Sequence, residues 1–362
     1  MATFVLAGGG TGGHVFPGLA VARELRSRGH SVRFIGTERG MESKLVPQAG
    51  FPFEKIEIGG LKRVGFRKML QSLAELPSSV WQSSRLLARS KPAAIFSTGG
   101  YVAGPVLIAA LWKRIPIVVM EPNAIPGFTH RKLSRFVARA LVSFEESVKW
   151  FPEGRAELTG MPVREEFFSI PEKELRKPLT VLITGGSQGS RTLNRASEES
   201  WLLWPKGDVR LIHQTGRSSF EELAPRFRSS GMDGESLAFI DDMPKMYAQA
   251  DLVVCRSGMG TVSELAASGK PSILVPLPTA SDQHQLRNAE AFAKAGAGIL
   301  VLDAEMTGPR LVEEVTRLLK NPQALVEMGR AARKFARPGA AQKAADVLEA
   351  SGAGPRPASR HG

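Results

Sequence analysis

The 362-residue chain has a single cysteine, Cys255, and only two tyrosines. One thiol cannot close an internal disulfide, and Cys255 belongs to no ligand-spaced cluster. A disulfide scaffold and a structural zinc site are therefore excluded, and a reducing compartment is expected. Long apolar runs are also missing. The longest uncharged apolar stretch, about residues 102–112, is much shorter than the roughly 20 residues a spanning helix needs, so any membrane association should be peripheral. The N-terminal segment lacks a basic lead-in and glycines interrupt its apolar run from Gly8 onward, which argues against a signal peptide. Acidic residues are the other scarcity. There are 35 Asp and Glu against 48 Lys and Arg, a formal charge of +13, which asks for nucleic acid, a phosphorylated substrate or an anionic lipid surface, or reflects a solvated basic exterior. Charge alone does not choose among these.

What is present is a repeated alternation. Short β-branched runs at residues 3–7, 31–35, 93–97, 115–120 and 140–143 are separated by stretches with helical apolar spacing, such as Leu19, Ala22 and Leu25 before a stop at Gly29. After a polar, proline-containing stretch the pattern restarts at residues 179–184 and continues through 209–213, 236–240, 251–255, 272–275 and 298–301. The reading is α/β, two tandem Rossmann-like domains with a cleft between them. The domains are placed at 1–163 and 164–337. A helix over 338–351 is expected to pack back on the first domain, and 352–362 is expected to be a disordered tail.

Four motifs carry chemistry. Gly8-Gly-Gly-Thr-Gly-Gly-His14 lies between a strand and a helix, a natural site for negative charge. It also satisfies the weak dinucleotide spacing GxGxxG, but the acidic residue expected about 20 positions on has only Glu38 as a poor candidate. His14 directly after the glycines could take a proton from a hydroxyl near neutral pH, or could simply pack at the helix start. Gly185-Gly-Ser-Gln-Gly189 repeats the strand-to-helix glycine turn. It formally matches a nucleophile elbow centred on Ser187, although no Asp and His after it look placed to complete a triad. In Arg256-Ser-Gly-Met-Gly-Thr-Val-Ser-Glu264, the carboxylate is expected about one turn into a helix. There it could accept hydrogen bonds from ribose hydroxyls, or merely complement the helix dipole. Residues 281–288 offer amides and an imidazole at a further helix start, for capping or for binding sugar hydroxyls.

Together with Ser97-Thr-Gly-Gly-Tyr-Val-Ala-Gly-Pro105, Glu121-Pro-Asn123, Gly160-Met-Pro-Val-Arg164 and Asp241-Asp-Met243, these motifs resemble the MurG family in order along nearly the whole chain. That resemblance implies a GT-B glycosyltransferase fold. It also implies transfer of N-acetylglucosamine from UDP-GlcNAc to undecaprenyl-diphospho-MurNAc-pentapeptide (lipid I), forming lipid II. It places the donor in the second domain: Ser187 near the diphosphate, the Ile240 backbone on uracil, Met259, Gly260, Thr261, Val262, Ser263 and Glu264 along phosphate and ribose, and Gln285 on the sugar. Arg164 adds charge at the domain junction. Thr11, Gly12, Gly13 and Asn123 close over the donor sugar and diphosphates, with His14 as candidate base. Three positions depart from the family's usual pattern: Pro122 before the asparagine, Met161 before Pro162-Val-Arg164, and Gly260 after Ser-Gly-Met.

An α-linked donor attacked by an acceptor hydroxyl, with one positioned base taking its proton on the opposite face, inverts to a β-linkage, and preorganised amides can stabilise the leaving diphosphate. The Asp-x-Asp motif of metal-dependent transferases is absent, so no metal and no cofactor are expected. Expected partners are UDP-GlcNAc, lipid I, an anionic membrane surface and other cell-wall synthesis proteins, with no nucleic acid. The expected location is the cytoplasmic face of the cell membrane. The membrane element is placed in residues 62–89, where Phe66, Met69, Leu70, Leu73, Leu76 and Trp81 lie among Lys62, Arg63, Arg67, Lys68 and Arg85, with Trp112-Lys-Arg114 adding to it. A core-packed helix broken at Pro77 is the other reading. The nearest rival function is a UDP-GlcNAc 2-epimerase-like isomerase; a non-catalytic sugar-nucleotide binding module and an NAD-dependent oxidoreductase follow.

Overall fold

The computed structural model describes residues 1–10, 12–58, 66–123, 125–280 and 283–353, with backbone alone for 66–74. The chain divides into two compact units. One comprises Met1–Val163 together with the segment from Gly339 onward; the other is Arg164–Pro338.

In the first unit, seven parallel strands form one sheet in the order β3-β2-β1-β4-β5-β6-β7. They are β1 Thr3–Gly8, β2 Ser31–Gly36, β3 Phe53–Lys55, β4 Ala94–Gly99, β5 Ile117–Glu121, β6 Arg139–Val142 and β7 Ala156–Leu158. Strands covered on both faces by helices read as unbroken apolar runs, and Phe4, Val5, Leu6 and Ala7 of β1 are each at most 2% exposed. The first helix, Gly12–Ser27, buries Val15, Leu19, Ala22 and Leu25 on one face. It ends where Gly29 adopts φ +83° and the His30 amide turns back to the Leu25 carbonyl. The last helix, Ala340–Gly352, places Ala344, Ala345 and Leu348 in the same core as Phe4, Leu25 and Met120.

The second unit repeats the plan with six parallel strands in the order β10-β9-β8-β11-β12-β13. These are β8 Leu179–Thr184, β9 Val209–Gln214, β10 Gly234–Leu237, β11 Leu252–Cys255, β12 Ser272–Leu274 and β13 Ile299–Leu300. Both sheets reverse their strand order once, between β1 and β4 and between β8 and β11. Loops leaving the C-terminal ends of strands on either side of such a reversal part from each other and open a crevice.

Four expectations need correction. The three-residue edge strands β3 and β7 went unread, and β10 begins at Gly234 rather than residue 236. The helix Phe66–Ser90 runs through Pro77 without ending there. The final helix extends to Gly352, and the rest of the expected tail lies, from residue 354, outside the described residues. Among the described residues no helix is long and apolar enough to cross a membrane.

Candidate active site

The first glycine loop leaves β1 at the reversal point and, with the loop after β2, closes around an internal carboxylate. Glu42, only 1% exposed, accepts hydrogen bonds from the Gly10 amide (2.8 Å), the Thr37 amide (3.0 Å) and the Thr37 hydroxyl (2.9 Å). The Thr37 hydroxyl also meets the Tyr101 hydroxyl at 2.9 Å. A Cβ at Gly9, Gly36 or Gly40 would run into the Glu42 side chain. Three glycines therefore make room for this carboxylate, and Gly10 takes φ +94°, a conformation L side chains avoid. Of the residues expected at the ligand, Gly12 is half-buried, Gly13 is exposed, and Thr11 lies outside the described residues.

His14, in the first turn of the following helix, is half-buried and reaches the loop after β4. Ala7 pairs with Ser97 and Gly8 with Gly99, so Thr98 is the extra residue of a β-bulge. The bulge aims the Thr98 carbonyl at His14 Nδ1, 2.7 Å away, while the Thr98 hydroxyl donates to the His14 carbonyl at 2.7 Å. A carbonyl can only accept. Nδ1 therefore carries a proton, and in the neutral ring Nε2 holds the lone pair a general base needs. Glu38, weighed as a ribose ligand, pairs instead with Lys55 at the surface.

Behind this loop stands a second internal carboxylate. Glu121, 2% exposed, accepts from the Asn123 amide (3.0 Å) and side-chain Nδ2 (3.1 Å) through Oε1. Through Oε2 it accepts from the Gly127 amide and His130 Nδ1, each at 3.0 Å. Burial alone would raise this carboxyl; the hydrogen bond from His130 and the two backbone amides outweigh it and hold it below the usual range. Asn123, expected over the donor sugar, spends one N–H of its side-chain amide on Glu121, which fixes the amide and leaves its second N–H and Oδ1 as the groups a ligand would meet.

In the second unit, the Gly185–Gly189 loop is tied down by one bond within its own backbone and by the side chains of Thr184 and Gln214. Gly189 N donates to Gly186 O (2.9 Å), Gln214 Nε2 donates to the same carbonyl (2.8 Å), and Gly186 N donates to Thr184 Oγ1 (3.1 Å). Ser187 is half-buried in this loop, and Ser190 caps the helix Arg191–Ser200 by accepting from the Leu193 amide. Asn194 and Ser197 of that helix hold His213 of β9 through its two ring nitrogens, both at 3.1 Å. Burial pushes His213 down to about 3, so it is neutral. No hydrogen bond joins Ser187 to a histidine among the described residues, and the nucleophile-elbow reading has no triad to stand on.

Across the reversal point, Arg256 donates to the Val275 and Pro276 carbonyls and pairs with Asp303, which also accepts from Thr192 Oγ1 (3.0 Å). This fixes the turn that starts the helix Met259–Ser268. Met259, Gly260 and Thr261 form its half-buried first turn, and Val262 and Ser263 are buried. Glu264 falls in the second turn, not the first, which removes the helix-dipole account of it. The protein mass around Glu264 raises its carboxyl to about 7, with the Arg164 guanidinium pulling the other way. Arg164 itself stacks 5.1 Å from the Phe167 ring centre. Gln285 sits beside Gly258, its Oε1 accepting from the Leu277 amide (3.0 Å) and its carbonyl from Ser257 Oγ (2.8 Å). Ser281 and Asp282 lie outside the described residues. Ile240 is buried in the loop after β10, just before Asp242 caps the next helix.

The expected residues thus form two groups, each at the C-terminal ends of its own unit's strands: His14 and Asn123 in the first, and Ser187, Ile240, residues 259–264 and Gln285 in the second, with Arg164, which precedes β8, near enough to act on Glu264. Glu42, the Thr98 carbonyl, His130 and Arg256 had no assigned role in the sequence reading. The only signal for Glu42 was its flanking glycines. Among the described residues, no three His, Cys, Asp or Glu side chains cluster closely enough to hold a metal ion.

Two family models match the chain in succession: the glycosyltransferase family 28 N-terminal domain over residues 4–142 and its C-terminal domain over residues 180–346. A UDP-N-acetylglucosamine--N-acetylmuramyl-(pentapeptide) pyrophosphoryl-undecaprenol N-acetylglucosamine transferase of Solibacter usitatus is 58% identical over 350 residues, 96% of either chain. Among solved structures, MurG of Acinetobacter baumannii superposes with a TM-score of 0.81 at 33% identity, over 97% of this chain and 100% of that one. A UDP-GlcNAc 2-epimerase from Neisseria meningitidis superposes at 0.67 with 15% identity, over 96% and 99% of the two chains, a likeness of fold alone. With both family models matched and more than half of its residues shared with a full-length relative, this chain belongs to glycosyltransferase family 28 and, within it, to the MurG family.

Proposed function

We propose that the chain transfers N-acetylglucosamine from UDP-GlcNAc to the MurNAc 4-hydroxyl of lipid I, with inversion, to give lipid II. The observation that carries this reading is the Thr98 carbonyl on His14 Nδ1, which leaves the Nε2 lone pair as the base. In the proposed step, Nε2 takes the proton of the acceptor hydroxyl as its oxygen bonds to the anomeric carbon. The bond to UDP breaks on the opposite side, and the electron pair leaves with the diphosphate. Amides of the Gly185–Gly189 loop, with Ser187, and of the Met259–Thr261 turn receive that charge. Glu264 accepts from the ribose hydroxyls, the Ile240 backbone reads uracil, Gln285 holds the sugar, and Arg164 adds a positive charge. Thr11, Gly12, Gly13 and Asn123 serve the sugar and diphosphates on the side of the first unit.

The same proposal places the protein peripherally at the cytoplasmic face of the membrane. Trp81 is 59% exposed with Arg85 stacked 4.8 Å from its ring, and Trp112, 71% exposed, precedes Lys113 and Arg114. Exposed Phe128 and Phe136 carry Lys132 and Arg135 in the same way. Leu76 packs on the core instead and leaves the patch. Lys62 and Arg63 lie outside the described residues, as do the side chains of residues 66–74.

The decisive assay incubates the protein with radiolabelled UDP-GlcNAc and a lipid I analogue. UDP release should depend on acceptor, and His14→Ala should lower kcat by about two to four orders of magnitude with little change in donor KM. UDP release that ignores the acceptor, or conversion of UDP-GlcNAc without it, would overturn the transferase reading.

A further inference from the structure

The Thr98 carbonyl that orients His14 belongs to the same peptide unit as the Gly99 amide, and that amide donates to Ser97 Oγ at 3.2 Å. Ser97 Oγ lies 3.2 Å from His130 Nε2, and His130 Nδ1 lies 3.0 Å from Glu121 Oε2. An ionised carboxylate only accepts, so Nδ1 carries the His130 proton. In the neutral ring Nε2 then accepts from the Ser97 hydroxyl. Every donor in the row points the same way: His14 Nδ1–H to Thr98 C=O, Gly99 N–H to Ser97, Ser97 O–H to His130, and His130 Nδ1–H to Glu121. Ser97, His130 and Glu121 are each at most 2% exposed, so water does not interrupt it. Gly99 stands between the two rings: a Cβ there would lie 3.4 Å from His130 Cε1 and 3.5 Å from His14 Cε1.

We infer that Glu121, His130 and Ser97 are positioning residues forming a peptide-bridged relay that raises the basicity of His14 from behind. Aligned hydrogen bonds polarise one another in a low-dielectric interior, and the negative end lies at Glu121. The His14 imidazolium formed during transfer therefore faces a carbonyl whose electron density is pushed toward it. No proton travels along the row; a peptide unit passes polarisation, not protons. The arrangement does what the aspartate of a Ser-His-Asp triad does for its histidine, at one peptide's remove. The other titratable groups around the loop are Glu42 and Tyr101, on the side of Gly10.

The inference rests on His14 as base, and its test separates the two claims. The pH dependence of kcat is measured for wild type, His14→Gln, Ser97→Ala, His130→Leu and His130→Gln, with thermal melts to confirm folding. A base works only unprotonated, so activity falls as pH drops through its pKa. Losing the relay lowers that pKa and moves the acid limb to lower pH. Ser97→Ala and His130→Leu should cut kcat about tenfold and shift the limb down by about half a pH unit. His130→Gln, whose amide can both donate to Glu121 and accept from Ser97, should restore most of the rate and the limb. A lower kcat with the limb unmoved, a His130→Gln as impaired as His130→Leu, or full activity in all three overturns the relay. If His14→Gln keeps the acid limb, the base assignment falls and the relay falls with it. If His14→Gln loses the limb while the others stay silent, only the relay falls. Should His130→Leu not fold, Ser97→Ala decides.

Discussion

Glu264 shows how little a residue's neighbours in sequence say about its chemistry. Its type and its place after Arg256-Ser-Gly marked it as a ribose ligand, but its raised carboxyl comes from packing, against the opposing pull of Arg164, and neither is visible from its sequence neighbours. The sign follows from the direction of the shift. With a pKa of about 7 against an ordinary 4.5, the folded state holds this proton more tightly than the unfolded chain. Stability from this group is full below about pH 4.5 and is lost as pH rises toward 7. In the proposed donor site binding runs the other way, because ribose hydroxyls bond best to the ionised form. The donor KM of wild type should therefore rise as pH falls below 7. Glu264→Gln should raise KM about tenfold at pH 8, the weight of a charged hydrogen bond at ~1.5 kcal/mol, flatten its pH dependence, and raise Tm at the same pH. Parallel KM profiles for the two proteins would refute the assignment. His14 teaches a related lesson. Its identity and position were legible, whereas the carbonyl that sets its tautomer depends on a bulge at Thr98 that appears only when β1 and β4 pair.

Elements were legible where burial made them uniform. The two-sided strands β1, β4, β5, β8 and β11 announce themselves as apolar runs; β3 and β7, three residues each at the sheet edge, carry too few residues for any pattern. Pro77 misled for a physical reason: proline removes one donor, yet a long helix packed through Val80 and Leu87, 3% and 1% exposed, tolerates the loss. The last helix offers a contrast of forces within one element. Arg28 contacts Asp346 at 2.6 Å and Glu349 at 2.9 Å, and His30 Nε2 meets Glu349 at 2.7 Å, all near the surface. Leu348 is fully buried. Exposed ion pairs contribute about 1 kcal/mol or less, while emptying a buried leucine site costs about 2–5 kcal/mol. In urea titrations Leu348→Ala should lower the unfolding midpoint far more than Arg28→Ala, and only the Arg28→Ala effect should shrink in high salt. Equal losses would mean the helix is held chiefly by charge.

For the whole molecule, a formal charge of +13 and the basic aromatic surface of the first unit lead to one expectation. Vesicles rich in anionic lipid should pellet the protein, vesicles of neutral lipid should not, and salt well above 0.15 M should release it as the Debye length shortens. Replacing Trp81 and Trp112 together with alanine should weaken pelleting at low salt. Binding indifferent to both salt and lipid charge would remove the patch from the proposal. The tandem layout was visible in the sequence because its alternation starts twice. The second unit is one continuous stretch, Arg164–Pro338, whereas the first is completed by a helix made after it. During synthesis the usual order, N-terminal domain first, is therefore inverted: the first unit keeps part of its core open until the helix Ala340–Gly352 has been made, and the second unit can finish folding before it.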